Sequence, residues 1–126
     1  MRAVDTNVLL RLLVRDDRRQ AAAAEAFVAD GAWVSQLVLA EAMWVLSAVY
    51  ERNAAQLIAA LEMLLAHRQL VLQDADTVAA ALAHFKRRPA LGFSDCLILE
   101  VARKAGHLPL GSFDKNLAAL PQTQRL

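Results

Sequence analysis

Residues 1–14 read MRAVDTNVLLRLLV. Arg2 to Asp5 has the pattern of a short buried strand that ends at an acid, and Thr6 to Val14 is a leucine-rich run that suits a helix. A strand that passes through an acid into a helix is half of a βα unit, and the rest of the chain repeats this alternation. Asp16-Asp17 opens an alanine-rich helix, Arg18 to Ala29, closed by the turn residues Asp30-Gly31. Ala32 to Ser35 is a second strand, followed by helical spacing over Gln36 to Tyr50 and over Asn53 to His67, with Asn53 as the cap. Leu70 to Leu72 is a third strand. Asp74 to Arg88 is a helix capped by Asp74 or Asp76 and stopped by Pro89. Ser94 is placed to cap a helix that runs to Ala105 and ends at Gly106. Leu108 to Gly111 is a fourth strand, and Asp114 can cap a short helix, Lys115 to Leu120, stopped by Pro121. Strands separated by helices predict an α/β fold whose mainly parallel central sheet has helices on both faces.

Composition narrows the class. At 126 residues the chain is sized for a single domain, residues 1–126. Hydrophobic residues at 57% and charged residues at 21% exclude a disordered chain. With 14 Lys and Arg against 13 Asp and Glu, the net charge of +1 is far from that of a purely electrostatic nucleic-acid binder. The lone cysteine, Cys96, cannot form an internal disulfide and reads as a small buried hydrophobe. The 4 glycines are too scattered for a dinucleotide or P-loop motif. Charges at Asp5, Arg11 and Arg15 break the N-terminal apolar run, and neither a membrane helix nor a secretion signal can be read there, so a cytoplasmic chain without membrane partners is expected.

Of the 13 acids, nine read as ordinary surface or helix-end groups. Asp16, Asp17, Asp74 and Asp76 complement helix dipoles, Glu25 lies in the alanine-rich helix, Asp30 in a turn, Glu51 beside Arg52, and Glu100 one turn before Lys104. Glu62 sits at the edge of an apolar stripe. Asp5, Glu41, Asp95 and Asp114 remain. Asp5 and Asp114 each follow a strand, at the carboxyl edge where open parallel sheets bind ligands. Asp95 stands at a helix start. Glu41 has Leu37, Val38, Trp44 and Val45 as its one-turn neighbours, which predicts that it projects from the buried face of its helix. Taken singly, each has a structural role available: an Asx turn, a helix-start acid, a partner for a buried Arg. Were they to converge, each close pair would repel by about 4 kcal/mol at ~4 Å and an effective dielectric near 20, and a proton or cation would have to relieve it. Oxygen ligands without His or Cys favour Mg²⁺ or Mn²⁺, and such sites suit phosphodiester hydrolysis. The spacing of His67, His84 and His107 does not indicate zinc. Thr6, Asn7 and Ser112 adjoin the acids and can orient ligands or cap turns.

Val4-Asp5-Thr6-Asn7, Leu39-Ala40-Glu41, Phe93-Ser94-Asp95-Cys96-Leu97 and Ser112-Phe113-Asp114-Lys115-Asn116-Leu117 occur in the order and approximate spacing of a PIN-domain protein. The chain most resembles the VapC-type toxins of bacterial toxin–antitoxin pairs, and the likeness spans essentially its whole length. The resemblance implies a three-layer α/β/α PIN-like domain and a Mg²⁺- or Mn²⁺-dependent endoribonuclease. By motif match it makes Asp5, Glu41, Asp95 and Asp114 the metal-binding acids and Thr6, Asn7 and Ser112 their polar support, with Ser112 standing where many relatives carry Thr. It also implies an RNA substrate, a cognate antitoxin of a type II pair and a homodimer.

Arg11 and Arg15 at helical steps after Asp5, Lys86-Arg87-Arg88 before the Asp95 helix, and Lys115 beside Asp114 are placed to hold RNA phosphates, or to form a solvated basic face. The few aromatics fall mostly at core spacing, so base stacking is not expected. Two other functions compete. A phosphatase-like hydrolase with Asp5 as nucleophile would want a second acid two residues on, where this chain has Asn7. A partner-binding regulatory module on a nuclease fold would be expected to have lost part of the acid set. An antitoxin groove is expected near the helices over 6–14 and 36–50, around Met43 and Trp44.

Overall fold

The computed structural model describes residues 1–126 as two compact units, Met1–Ala75 and Asp76–Leu126. In the first, strands β1 (Arg2–Ala3), β2 (Ala32–Val34) and β3 (Leu70–Leu72) form a parallel sheet in the order β1-β2-β3. Arg2 pairs with Ala32, and Ala32 with Leu70. Ala32, Val34, Leu70 and Leu72 are buried, while Trp33 and Val71 between them are partly exposed, so the period-2 alternation of a pleated strand sets which face is covered.

Helices α1 (Thr6–Val14), α2 (Arg18–Val28), α3 (Gln36–Ala48) and α4 (Ala54–Ala66) connect these strands. Each starts where a polar side chain accepts a backbone N–H left without a helical partner. Asp5 accepts from Val8, Asp17 from Gln20 and Ser35 from Val38. Asn53 and Gln56 exchange two such bonds in a capping box, at 2.8 and 2.9 Å. Each cap stabilises its helix by about 1 kcal/mol. α1 packs on α2 and α3, and α4 on β3. Leu9, Leu39, Leu61 and Leu64 are wholly buried, each contributing roughly 1.5–3 kcal/mol. α3 is apolar nearly all round. It buries Leu39, Ala42, Met43 and Leu46, and leaves Leu37 (79%) and Trp44 (63%) exposed.

The second unit holds α5 (Ala75–Arg87), a 3₁₀ turn at Pro89–Leu91, α6 (Phe93–Ala105), β4 (Leu110–Ser112), a 3₁₀ turn at Leu117–Ala119 and β5 (Thr123–Arg125). Phe85 of α5 and Phe93 of α6 meet edge to face with centroids 6.2 Å apart, an arrangement their quadrupoles favour. The six helices and parallel strands are the α/β content expected.

Three details differ from expectation. The fourth strand begins at Leu110 because Pro109 has no N–H to give a ladder, and it pairs in parallel with the unanticipated β5 rather than in the sheet of β1 to β3. The Leu126 N–H closes that ladder on the Ser112 carbonyl at 2.9 Å. The short helix after Asp114 is only the 3₁₀ turn Leu117–Ala119, because the Asp114 carboxylate takes the Asn116 and Leu117 N–H groups and Pro121 follows. Ser94 is not a cap. α6 starts two residues earlier, from Gly92 at φ 78°, a left-handed conformation that glycine adopts without strain. No helix is long and apolar enough to cross a membrane.

Candidate active site

In the first unit, Asp5 stands between β1 and α1. Its Oδ1 accepts the Val8 N–H at 3.0 Å, so the backbone holds one carboxylate oxygen and thereby orients the other. Thr6 and Asn7 open α1 beside it. Glu41 lies on α3, but it is exposed, not on the buried face. The apolar neighbours that predicted burial, Leu37 and Trp44, are themselves at the surface, so their spacing marks an apolar surface rather than the core.

The second unit brings Asp95 and Asp114 within electrostatic reach of each other. Asp95 sits in the first turn of α6, half-buried and without a cap hydrogen bond. Burial pushes its carboxyl pKa up, and the charge of Asp114 pushes it further. Asp114 is exposed, and its loop is closely fixed. Its N–H donates to Ser112 Oγ at 3.0 Å, while its Oδ1 accepts from Asn116 N at 2.8 Å and Leu117 N at 3.3 Å. Cys96, next to Asp95, is fully buried, and burial raises its thiol to about 11. It is the inert small hydrophobe expected.

The donor set fits a hard divalent cation in its chemistry. Asp95 and Asp114 offer only oxygen, and a bound cation would offset the combination of burial and like charge at Asp95. No three His, Cys, Asp or Glu side chains are grouped closely enough to hold a metal. His84 is tied to a glutamate, and His67 Nδ1 accepts the Gln69 N–H.

The basic residues divide in a way spacing does not reveal. Arg11 pairs with Asp16 at 2.9 Å, the nearby Tyr50 side chain and Asp16 hold its pKa above the ordinary arginine value, and Arg15 pairs with Glu25. Arg87 Nη2 contacts His84 Nδ1 at 3.2 Å. Lys86, Arg87, Arg88 and Lys115 are all exposed. Of these, Arg88 and Lys115 make no ion pair.

The group sequence reading missed is Glu100. It is buried, and it pairs not with Lys104 but with His84 Nε2 at 2.7 Å and with both oxygens against Arg103 Nε at 3.1 and 3.2 Å. Lys104 instead binds Asp76 at 3.2 Å, which lowers the Asp76 pKa. His84 and Glu100 lie 16 residues apart on different helices, so no local spacing signals their contact.

No curated protein and no solved structure matches the chain. The PIN domain family matches residues 2–122, which span every element but β5. The helices and parallel strands are those of a three-layer α/β/α PIN-like fold. With nearly its whole length accounted for in this way, the chain belongs to the PIN-domain family, whose members are typically metal-dependent nucleases.

Proposed function

We propose that the protein is a Mg²⁺- or Mn²⁺-dependent endoribonuclease that hydrolyses RNA phosphodiester bonds, acting as the toxin of a type II toxin–antitoxin pair. The observation that carries this reading is the Asp95–Asp114 pair, a half-buried carboxylate under like-charge stress beside a second one fixed by its own loop. Asp95 and Asp114 would hold the metal, and Asp5 and Glu41 are the further acids that the family resemblance assigns to that role. A bound divalent ion supplies Lewis acidity toward a phosphoryl oxygen and makes water a better nucleophile near neutral pH.

The chain's own groups supply position. Ser112 holds the Asp114 loop through its hydroxyl, and the Val8 N–H holds Asp5. Thr6 and Asn7, next along α1, are the polar supports. Because Arg11 and Arg15 are engaged with carboxylates, Arg88 and Lys115 are the better-placed phosphate contacts. Exposed Leu37 and Trp44 on α3 support burial against a protein partner, a cognate antitoxin or a second copy of the chain.

The test is cleavage of RNA by purified protein in Mn²⁺ or Mg²⁺ against excess EDTA, with Asp95→Ala alongside. Metal-dependent cleavage that falls at least about 100-fold in the variant supports the reading. Full activity in the variant sinks it.

A further inference from the structure

A cavity of about 370 Å³ opens between α1 and α2, directly beside Asp5. Its walls divide by chemistry. Val8, Ala24 and Phe27 contribute apolar lining, while Asn7, Gln20 and the Asp16-paired Arg11 contribute polar lining. Neither carboxamide bonds to another group of the protein, although the Gln20 backbone N–H is committed to Asp17. The Phe27 ring is held in place by the Arg2 guanidinium, 3.9 Å from its centroid, which also donates to the Phe27 carbonyl at 2.9 Å. The second cavity of this unit with similar size, about 360 Å³, has its Arg15 tied to Glu25 and includes none of the four acids.

An apolar slot edged by carboxamides is matched to a nucleobase. The base's flat faces are apolar, and its edges carry donors and acceptors in pairs that an Asn or Gln amide can meet twice over. The cavity is in the size range of pockets that enclose small ligands. We infer that this cavity is a base-recognition pocket, which takes the base of a nucleotide next to the scissile phosphate and gives the enzyme its sequence preference, with Gln20 as a specificity-determining residue. The inference rests on the nuclease reading of Asp5. On this inference Phe27, which lines the cavity, contacts the base, although base stacking is not expected from the sequence.

The experiment is fluorescence anisotropy with labelled single-stranded RNA pentamers of A, C, G or U, in EDTA so that nothing is cut. The wild type is expected to bind one of the four at least about tenfold tighter than the weakest. Gln20→Ala is expected to narrow that spread to about twofold, and Gln20→Glu, which replaces a donor with an acceptor, to shift the preferred base. Ala23→Phe, which fills the cavity from an exposed position of α2, is expected to weaken binding of all four about tenfold. Both positions are exposed, so thermal melts of the variants should match the wild type. Equal binding of all four pentamers by the wild type, absence of binding, or discrimination that survives Gln20→Ala and Ala23→Phe overturns the pocket. Mn²⁺-dependent cleavage by the same preparation separates the two readings. Cleavage without base discrimination overturns the pocket alone, whereas discrimination without cleavage overturns the endoribonuclease and leaves the pocket standing.

Discussion

Glu41 on α3 and Glu100 on α6 look alike in sequence, each on a helix among apolar residues, yet the structure gives them opposite surroundings. Glu41 is at the surface between exposed Leu37 and Trp44. Glu100 is buried at 7% exposure with His84 on one oxygen and Arg103 across both. An Arg guanidinium can only donate, so the Arg87 contact makes His84 Nδ1 the acceptor and puts the imidazole proton on Nε2, facing Glu100. The buried glutamate is fully occupied in holding α5 to α6. The exposed one has no structural duty, which leaves it free for chemistry. Burial alone is therefore a poor guide to which carboxylate works: a carboxylate already satisfied by protein cations has little left to offer a ligand.

The strongest way to break this comparison is Glu100→Ala. It would strand Arg103 and His84 and should cost about 3 kcal/mol of stability by urea unfolding, while cleavage per folded molecule stays near wild type. A loss below about 1 kcal/mol would show that the network is not structural. Glu41→Ala should do the reverse, changing stability by less than about 0.5 kcal/mol but lowering metal-dependent cleavage about 100-fold, or roughly 2.7 kcal/mol of barrier. Unchanged cleavage would place Glu41 among the surface acids.

Asp95 extends the comparison to a carboxylate that is half-buried and has no cation beside it. Mn²⁺ at 100 times its dissociation constant should stabilise the wild type by about 2.7 kcal/mol, and Asp95→Asn should remove most of that gain in a thermal melt. Equal shifts in both proteins would exclude Asp95 as a ligand. The smallest expected effect is in EDTA. The native Asp95 carboxyl is raised, so the folded state binds a proton more tightly than the unfolded state. That contribution is fully present below the ordinary aspartate value near about 3.9 and is lost as pH rises through the raised native value. Asp95→Asn should therefore raise stability at pH 7 relative to the wild type, by less than about 1 kcal/mol, with no gain at pH 3.

Much of the fold could be read from local rules. Asp17 and Asn53 mark helix starts because capping is a contact within one turn, and both cap as the sequence predicts, while Asp5, read as the acid ending a strand, also caps α1. β1, β2 and β3 were recognisable as short apolar runs between helices. β5 was not, because Thr123-Gln124-Arg125 carries no apolar alternation and is a strand only by virtue of β4 beside it. The same division holds for the acids. The positions of Asp5 and Asp114 at strand ends follow from element order, whereas Glu100 takes one partner, Arg103, from its own helix and the other, His84, from a helix 16 residues away. Glu41 was misplaced because helical spacing reports which residues share a face, not whether that face is covered. Gln20, on an alanine-rich helix with an ordinary cap, carried no sign of the cavity it edges.

The pairing of β5 with β4 has a consequence for the acid loop. Asp114 lies two residues past a strand whose own partner is the chain's last strand, and the Leu126 N–H rests on the carbonyl of Ser112, the residue whose hydroxyl steadies Asp114. Residues 123–126 thus act as a splint for a loop that has little secondary structure of its own. A protease cut or an early stop codon after Pro121 would leave every acid in the sequence and still let one of them drift.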